Sequence, residues 1–121
     1  MSTVKNMLDK LLDDLKRVGN IEASAVVSRD GLLMASDIPG GVHAETFAAM
    51  NATMMGAAET AISELNKGIP DRVIIESKEA KVIVTGAGQK ALLVAMSRPE
   101  AGLGLVLVEM EKISEKLAEV L

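Results

Sequence analysis

Residues able to do acid–base or nucleophilic chemistry are sparse in this 121-residue chain. It has one histidine, His43, and no cysteine. Catalysis needs convergent titratable groups with tuned pKa values. His43 stands at the start of a predicted helix, where an imidazole caps the helix or faces water. A Ser-His-Asp set built on it would lack a nucleophile elbow, because no G-x-S-x-G sequence is present. A metal would have to be held by carboxylates alone. Asp13 and Asp14 are adjacent on a predicted helix and diverge, so they read as a solvated face. Gly86-x-Gly88-x-x-Ala91 has the spacing of a dinucleotide fingerprint. That motif works only with a strand before it and a helix after it. Ala91 to Met96 reads instead as a strand, closed by Pro99, so these glycines read as a hairpin turn. Gly40-Gly41 precedes the central helix and could offer amides to an anion. No Lys or Arg stands near it, so it reads as a plain loop. The sequon Asn51-Ala52-Thr53 falls inside a helix and reads as chance. The chain is therefore expected to be non-catalytic, with no cofactor and no metal.

Composition narrows the remaining classes. Hydrophobic residues make up 49% and charged residues 25%, the balance of a globular domain. A net charge of −4 argues against a nucleic-acid partner, which needs a basic surface. There is no Trp or Tyr and a single Phe, so stacking platforms for single strands are missing too. Met1 leads into a polar amphipathic segment rather than an apolar signal core. No run approaches the ~18 apolar residues that span a bilayer. The expectation is a cytoplasmic domain without membrane insertion.

The elements that position these residues follow from periodicity. Val4, Met7, Leu8, Leu11, Leu12, Leu15 and Val18 recur at helical spacing, with Ser2 or Thr3 as the N-cap and Gly19 as the stop. Ala23 to Ser28 and Leu32 to Ser36 flank Arg29-Asp30-Gly31, a strong hairpin signal. Ile38-Pro39-Gly40-Gly41 leads into a central helix from about His43 to Gly68. Three short strands follow: Arg72 to Ser77, Ala80 to Thr85 and Ala91 to Ser97. Leu103, Val106, Met110, Ile113, Leu117, Val120 and Leu121 form the stripe of a last helix. The order is α-β-β-α-β-β-β-α in a single α+β domain over residues 1–121. Short links between successive strands imply an antiparallel sheet of five strands. The strand cores, including Val73-Ile74-Ile75, are apolar at consecutive positions. Such strands are expected to be buried on both faces, with the terminal helices on one side and the central helix on the other.

The central helix carries the most informative pattern. From Thr46 to Ala58 it holds no charge. At ~100° per residue, Phe47, Met50, Met54, Ala58, Ala61, Ile62 and Leu65 make one apolar stripe, expected to face the core. The other face carries Ala49, Ala52, Thr53, Gly56, Thr60 and Ser63. A solvated face normally carries Lys and Glu, so this small, smooth face is expected to meet the same helix of a second copy. Isologous contacts of this kind are the commonest symmetric arrangement. Met55 lies toward the edge of the apolar stripe and, with Glu59 and Ser63, is a candidate partner surface.

Three features together resemble the roadblock domain, the family named for a dynein light chain. They are Ser28-Arg29-Asp30-Gly31-Leu32 in the first hairpin, Gly41-Val42-His43-Ala44-Glu45 opening an Ala/Met-rich helix, and the order of elements. The resemblance spans essentially the whole chain and implies a profilin-like architecture. The family commonly has Asp where His43 stands. The resemblance further implies a non-catalytic domain that dimerises through antiparallel central helices and edge-to-edge third strands. Carried over, it places Ala49, Ala52, Thr53 and Gly56 near a two-fold axis, with Thr60 in the same interface, and Val73, Ile74, Ile75 and Glu76 on the joining edge. The edge assignment agrees with local physics, because an apolar edge strand invites pairing. The implied partners are a second copy or a paralogue, and a small Ras-like GTPase docked on the paired helices. A short single-domain chain is most similar to the prokaryotic homodimeric members. The alternatives carried forward are a subunit of a motor or trafficking complex and a small-molecule sensor.

Overall fold

Five apolar runs, separated by turns that glycine or short polar residues can make, pair into one sheet. The computed structural model describes residues 3–121. Ser2, one of the two expected caps, lies outside the described residues. The elements are α1 (Thr3–Lys16), β1 (Ile21–Ser28), β2 (Leu33–Asp37), α2 (Ala44–Glu64), β3 (Arg72–Glu76), β4 (Lys81–Ala87), β5 (Ala91–Ser97) and α3 (Leu103–Val120). This is the expected order.

The strands lie β2-β1-β5-β4-β3, and every neighbouring pair is antiparallel. Hairpins explain most of that order. Gly31 turns between β1 and β2 at φ +97, and Gly88 turns between β4 and β5 at φ +73. Both are left-handed conformations that glycine adopts without strain. The second turn settles the Gly86-x-Gly88-x-x-Ala91 spacing: Ala91 opens a strand, not a helix.

The sheet separates two cores. On one side Leu8, Leu12 and Leu15 of α1 and Val106, Met110 and Leu117 of α3 pack on Val26, Ile83 and Leu93. On the other side Ala48, Ala52 and Met55 of α2 pack on Ala25, Val27, Val84 and Val94. Each large side chain taken fully out of water contributes about 1.5–3 kcal/mol. The central strands β1 and β5 are buried on both faces along most of their length, which is why their sequences do not alternate.

β3 departs from that expectation. Its residues alternate between exposed and half-buried, and Ile74 is 38% exposed. The reason is topological. β3 is an edge strand: α2 lies against it, whereas α3 lies over β4 and β5. The central helix also ends sooner than expected, at Glu64. Asn66 (φ 52) and Gly68 (φ 89) then turn the chain out of the helix.

Candidate interaction surface

The helix α2 begins at the N-cap His43, whose side chain makes no capping hydrogen bond. A cap assigned to the imidazole is therefore not made; only the His43 carbonyl takes part, accepting from the Phe47 amide at 2.9 Å. Among the described residues no cluster of three His, Asp or Glu is placed to hold a metal.

The face that α2 turns to the sheet differs from the one its hydrophobicity suggested. The buried residues are Ala48, Asn51, Ala52 and Met55. Met55 is 2% exposed and Ala52 9%. Met55 therefore offers nothing to a partner, and Ala52 is spent on the chain's own sheet rather than on a second copy. Met50, expected in the core, is instead 63% exposed, and Leu65 is also exposed. The helix has rotated its smallest residues inward. Ala48 and Ala52 let the helix backbone lie close on the sheet, where a bulkier stripe would hold it away.

The displaced stripe lies along the flank of α2 that faces the β3 edge. Phe47, Met50, Asn51, Thr53 and Met54, with Ile75 of β3 and Val82 of β4, line an open groove of about 370 Å³. Its walls are almost entirely apolar. Asn51 is the exception: its Nδ2 donates to the Phe47 carbonyl at 2.8 Å, while its Oδ1 is buried with no partner. An unpaired buried acceptor costs about 1–3 kcal/mol.

The other exposed flank carries Ala49, Gly56, Thr60 and Ser63. Thr60 Oγ1 donates to the Gly56 carbonyl at 3.1 Å, and Thr53 Oγ1 donates to the Ala49 carbonyl at 2.9 Å. The hydroxyls fold back onto the helix, so the surface is smooth as well as uncharged. A Cβ on Gly56 would meet nothing within 4 Å. The first hairpin borders this flank. A Cβ on Gly31 would lie 3.5 Å from the Ala49 Cα. Glu59 is not free for a partner: its carboxylate pairs with Arg29 at 3.3 Å. Arg29 itself was not singled out by the sequence, because its side-chain partners, Glu59 and the Gly88 carbonyl, come from distant segments.

The apolar groove and the unpaired edge are adjacent, and Ile75 belongs to both. One partner could cover both at once. The family model for the Roadblock/LC7 domain matches residues 7–97. The chain belongs to the Roadblock/LC7 domain family.

This Roadblock/LC7 chain is similar in sequence to another protein over nearly its whole length, and in fold to solved structures of low identity. It is 35% identical over 111 residues to the uncharacterized protein MJ1340 of Methanocaldococcus jannaschii, covering 92% of this chain and 96% of that one. The structure of the gliding protein MglB from Thermus thermophilus superposes with a TM-score of 0.88 at 20% identity, over 99% of this chain and 92% of that one. Profilin IA of Acanthamoeba castellanii superposes with a TM-score of 0.67 at 16% identity, over 97% and 98% of the two chains. The profilin-like architecture expected from the resemblance is the one observed. No helix among the described residues is long and apolar enough to cross a membrane.

Proposed function

We propose that this Roadblock/LC7 chain is a non-catalytic homodimeric scaffold or regulator of a small Ras-like GTPase. The observation that carries the reading is the exposed apolar flank of α2 beside an unpaired apolar edge strand. Met50 is exposed and Phe47, Met54 and Ile75 are half-buried along the groove, while Ile74 is exposed on the other face of the same edge strand. An uncovered edge strand with an apolar middle is a template for pairing. A second copy presenting the same flank and edge covers both features with a two-fold axis.

In this dimer Phe47, Met50, Thr53 and Met54 face the partner's central helix, and Val73 to Glu76 join the two sheets. The smooth flank of Ala49, Gly56, Thr60 and Ser63 stays outward on each copy. The two flanks supply the platform on which the GTPase docks. The GTPase as partner is drawn from the family resemblance, whereas the dimer rests on this chain's own surface.

The test is affinity capture with the purified chain from its source, once with a non-hydrolysable GTP analogue and once with GDP. A Ras-like GTPase retained mainly with the analogue is the result expected of a regulator that reads the nucleotide state. Equal retention is the result expected of a scaffold. Absence of any GTPase in both removes the GTPase part of the reading.

A further inference from the structure

β3 is not only apolar at its middle; it is charged at its ends with opposite signs, Arg72-Val73-Ile74-Ile75-Glu76. Neither charge takes part in an ion pair among the described residues. The sequence is therefore self-complementary when read against itself in the opposite direction. We propose that Arg72 and Glu76 set the register of the joined edge and select a second copy of this chain as the partner. Arg72 would stand opposite the partner's Glu76, with Ile74 on the two-fold axis. This inference rests on the homodimer reading above.

Backbone geometry limits the registers available. Ser77 donates to the Ala80 carbonyl at 2.9 Å, so those two residues face each other through their hydrogen-bonding groups. The strands pair Glu76 with Lys81, Ile75 with Val82, Ile74 with Ile83, Val73 with Val84 and Arg72 with Thr85, with no bulge. Hydrogen-bonded and non-hydrogen-bonded pairs alternate along an antiparallel ladder. Val73 and Ile75 thus spend their amides and carbonyls on β4. Arg72, Ile74 and Glu76 point theirs outward from the free edge. A partner strand must set outward-pointing residues against outward-pointing residues.

Five symmetric registers centred within this short strand obey that rule. Centred on Arg72 or Glu76, two like charges meet on the axis. Centred on Val73, Arg72 faces the partner's Ile74, and Glu76 faces the partner's Pro70, which has no N–H to give. Centred on Ile75, Arg72 faces the partner's Lys78, a like-charge pair. Centred on Ile74, every residue of the strand is paired, each outward residue exchanges both backbone bonds, and both end pairs join opposite charges. Directly opposed residues also share a sheet face. Val73 and Ile75 are turned to the α2 side, where Val73 joins that core and Ile75 lines the groove. Arg72, Ile74 and Glu76 therefore lie together on the opposite face. The two Ile74 side chains meet there, between the two ion pairs.

Selectivity follows from the same geometry. A paralogue lacking this sign pattern would bring like or unmatched charges to both ends of the strand. Like charges directly opposed are destabilising, whereas opposed unlike charges stabilise.

The experiment uses two single variants, Arg72→Glu and Glu76→Arg, and the double swap. Both side chains are exposed, so the fold is kept. Sedimentation velocity at low salt reads association, because surface charge pairs are screened as salt rises. Each single variant alone is expected to dimerise at least about tenfold more weakly than the wild type, since both ends of the strand then oppose like charges. Mixed one to one, the two variants are expected to form a heterodimer, and the double swap is expected to regain self-association. Glu76→Arg also sets a cation opposite Lys81 within the chain, but the mixture and the double swap carry that cost too. A second reading uses the absence of cysteine. Ile74→Cys should oxidise to a covalent dimer, since paired Cα atoms ~5.5 Å apart lie within disulfide range. Val73→Cys, opposed by the partner's Ile75, should not. Single variants that self-associate as tightly as the wild type, with no preference in the mixture, overturn the register while leaving the homodimer standing. A wild type that stays monomeric overturns the homodimer itself.

Discussion

The guanidinium of Arg29 lies 3.3 Å from the Glu59 carboxylate and donates to the Gly88 carbonyl at 2.8 Å. One side chain thereby joins the first hairpin, the central helix and the turn between β4 and β5. It does so across Gly86. A Cβ there would stand 2.8 Å from the Arg29 Nη2, too close for both to stay.

Gly86→Ala is therefore expected to displace the guanidinium and release Glu59. Both partners are more than a third exposed, so the loss is small, about 1 kcal/mol. Arg29→Ala should cost a similar amount, and the two changes together should cost little more than either alone. A urea midpoint series on the four proteins measures this. Additive losses would separate Gly86 from Arg29.

Thr85 and Ser114 exchange a hydrogen bond of 2.9 Å between β4 and α3, and both are buried. Thr85→Val should leave the Ser114 hydroxyl without a partner and destabilise the chain by about 1–3 kcal/mol. Adding Ser114→Ala removes the orphan and should recover much of that loss. Calorimetric melting of the single and double variants tests it, and a double variant less stable than Thr85→Val would contradict it.

Asn51 keeps a buried Oδ1 without a donor. Asn51→Leu removes the orphan, gives up the bond to the Phe47 carbonyl, and gains helix propensity. The expected outcome is a higher urea midpoint, by about 1 kcal/mol in unfolding free energy. A loss of that size would show that the oxygen is satisfied, by water or by a partner.

The order of elements and the layering were legible in the sequence, and for physical reasons. Leu8, Leu12 and Leu15 keep helical spacing, and Arg29-Asp30-Gly31 can do little but turn. The orientation of α2 was not legible. Hydropathy ranks Met50 above Ala48, but close packing on a sheet favours the small residue. The helix buries Ala48 and Ala52 and leaves Met50 outside. The sidedness of β3 escaped for a related reason. Val73-Ile74-Ile75 is apolar throughout, so its composition implies burial on both faces; the edge position that the resemblance implied is the one observed, and it leaves Ile74 exposed. Of the candidate surface, Thr53 lies in the groove, Ala52 and Met55 are buried, and Glu59 is held by Arg29. Met50, the most exposed apolar residue in that groove, was hidden in the stripe assigned to the core.

The most direct measurement is sedimentation equilibrium over a dilution series on three proteins: the wild type, Met50→Lys and Gly56→Ala. Met50 is exposed within the apolar flank, so a lysine there leaves the fold intact and puts a charge into the proposed contact. Gly56 is exposed on the other flank with open space around it, so alanine should add helix stability, up to about 1 kcal/mol, and leave association unchanged. For a dimer formed through this flank, the wild type and Gly56→Ala are expected at twice the chain mass, and Met50→Lys at the chain mass with an unchanged circular-dichroism spectrum. A wild type that stays at the chain mass at every concentration, or a Met50→Lys variant that dimerises as the wild type does, would contradict it.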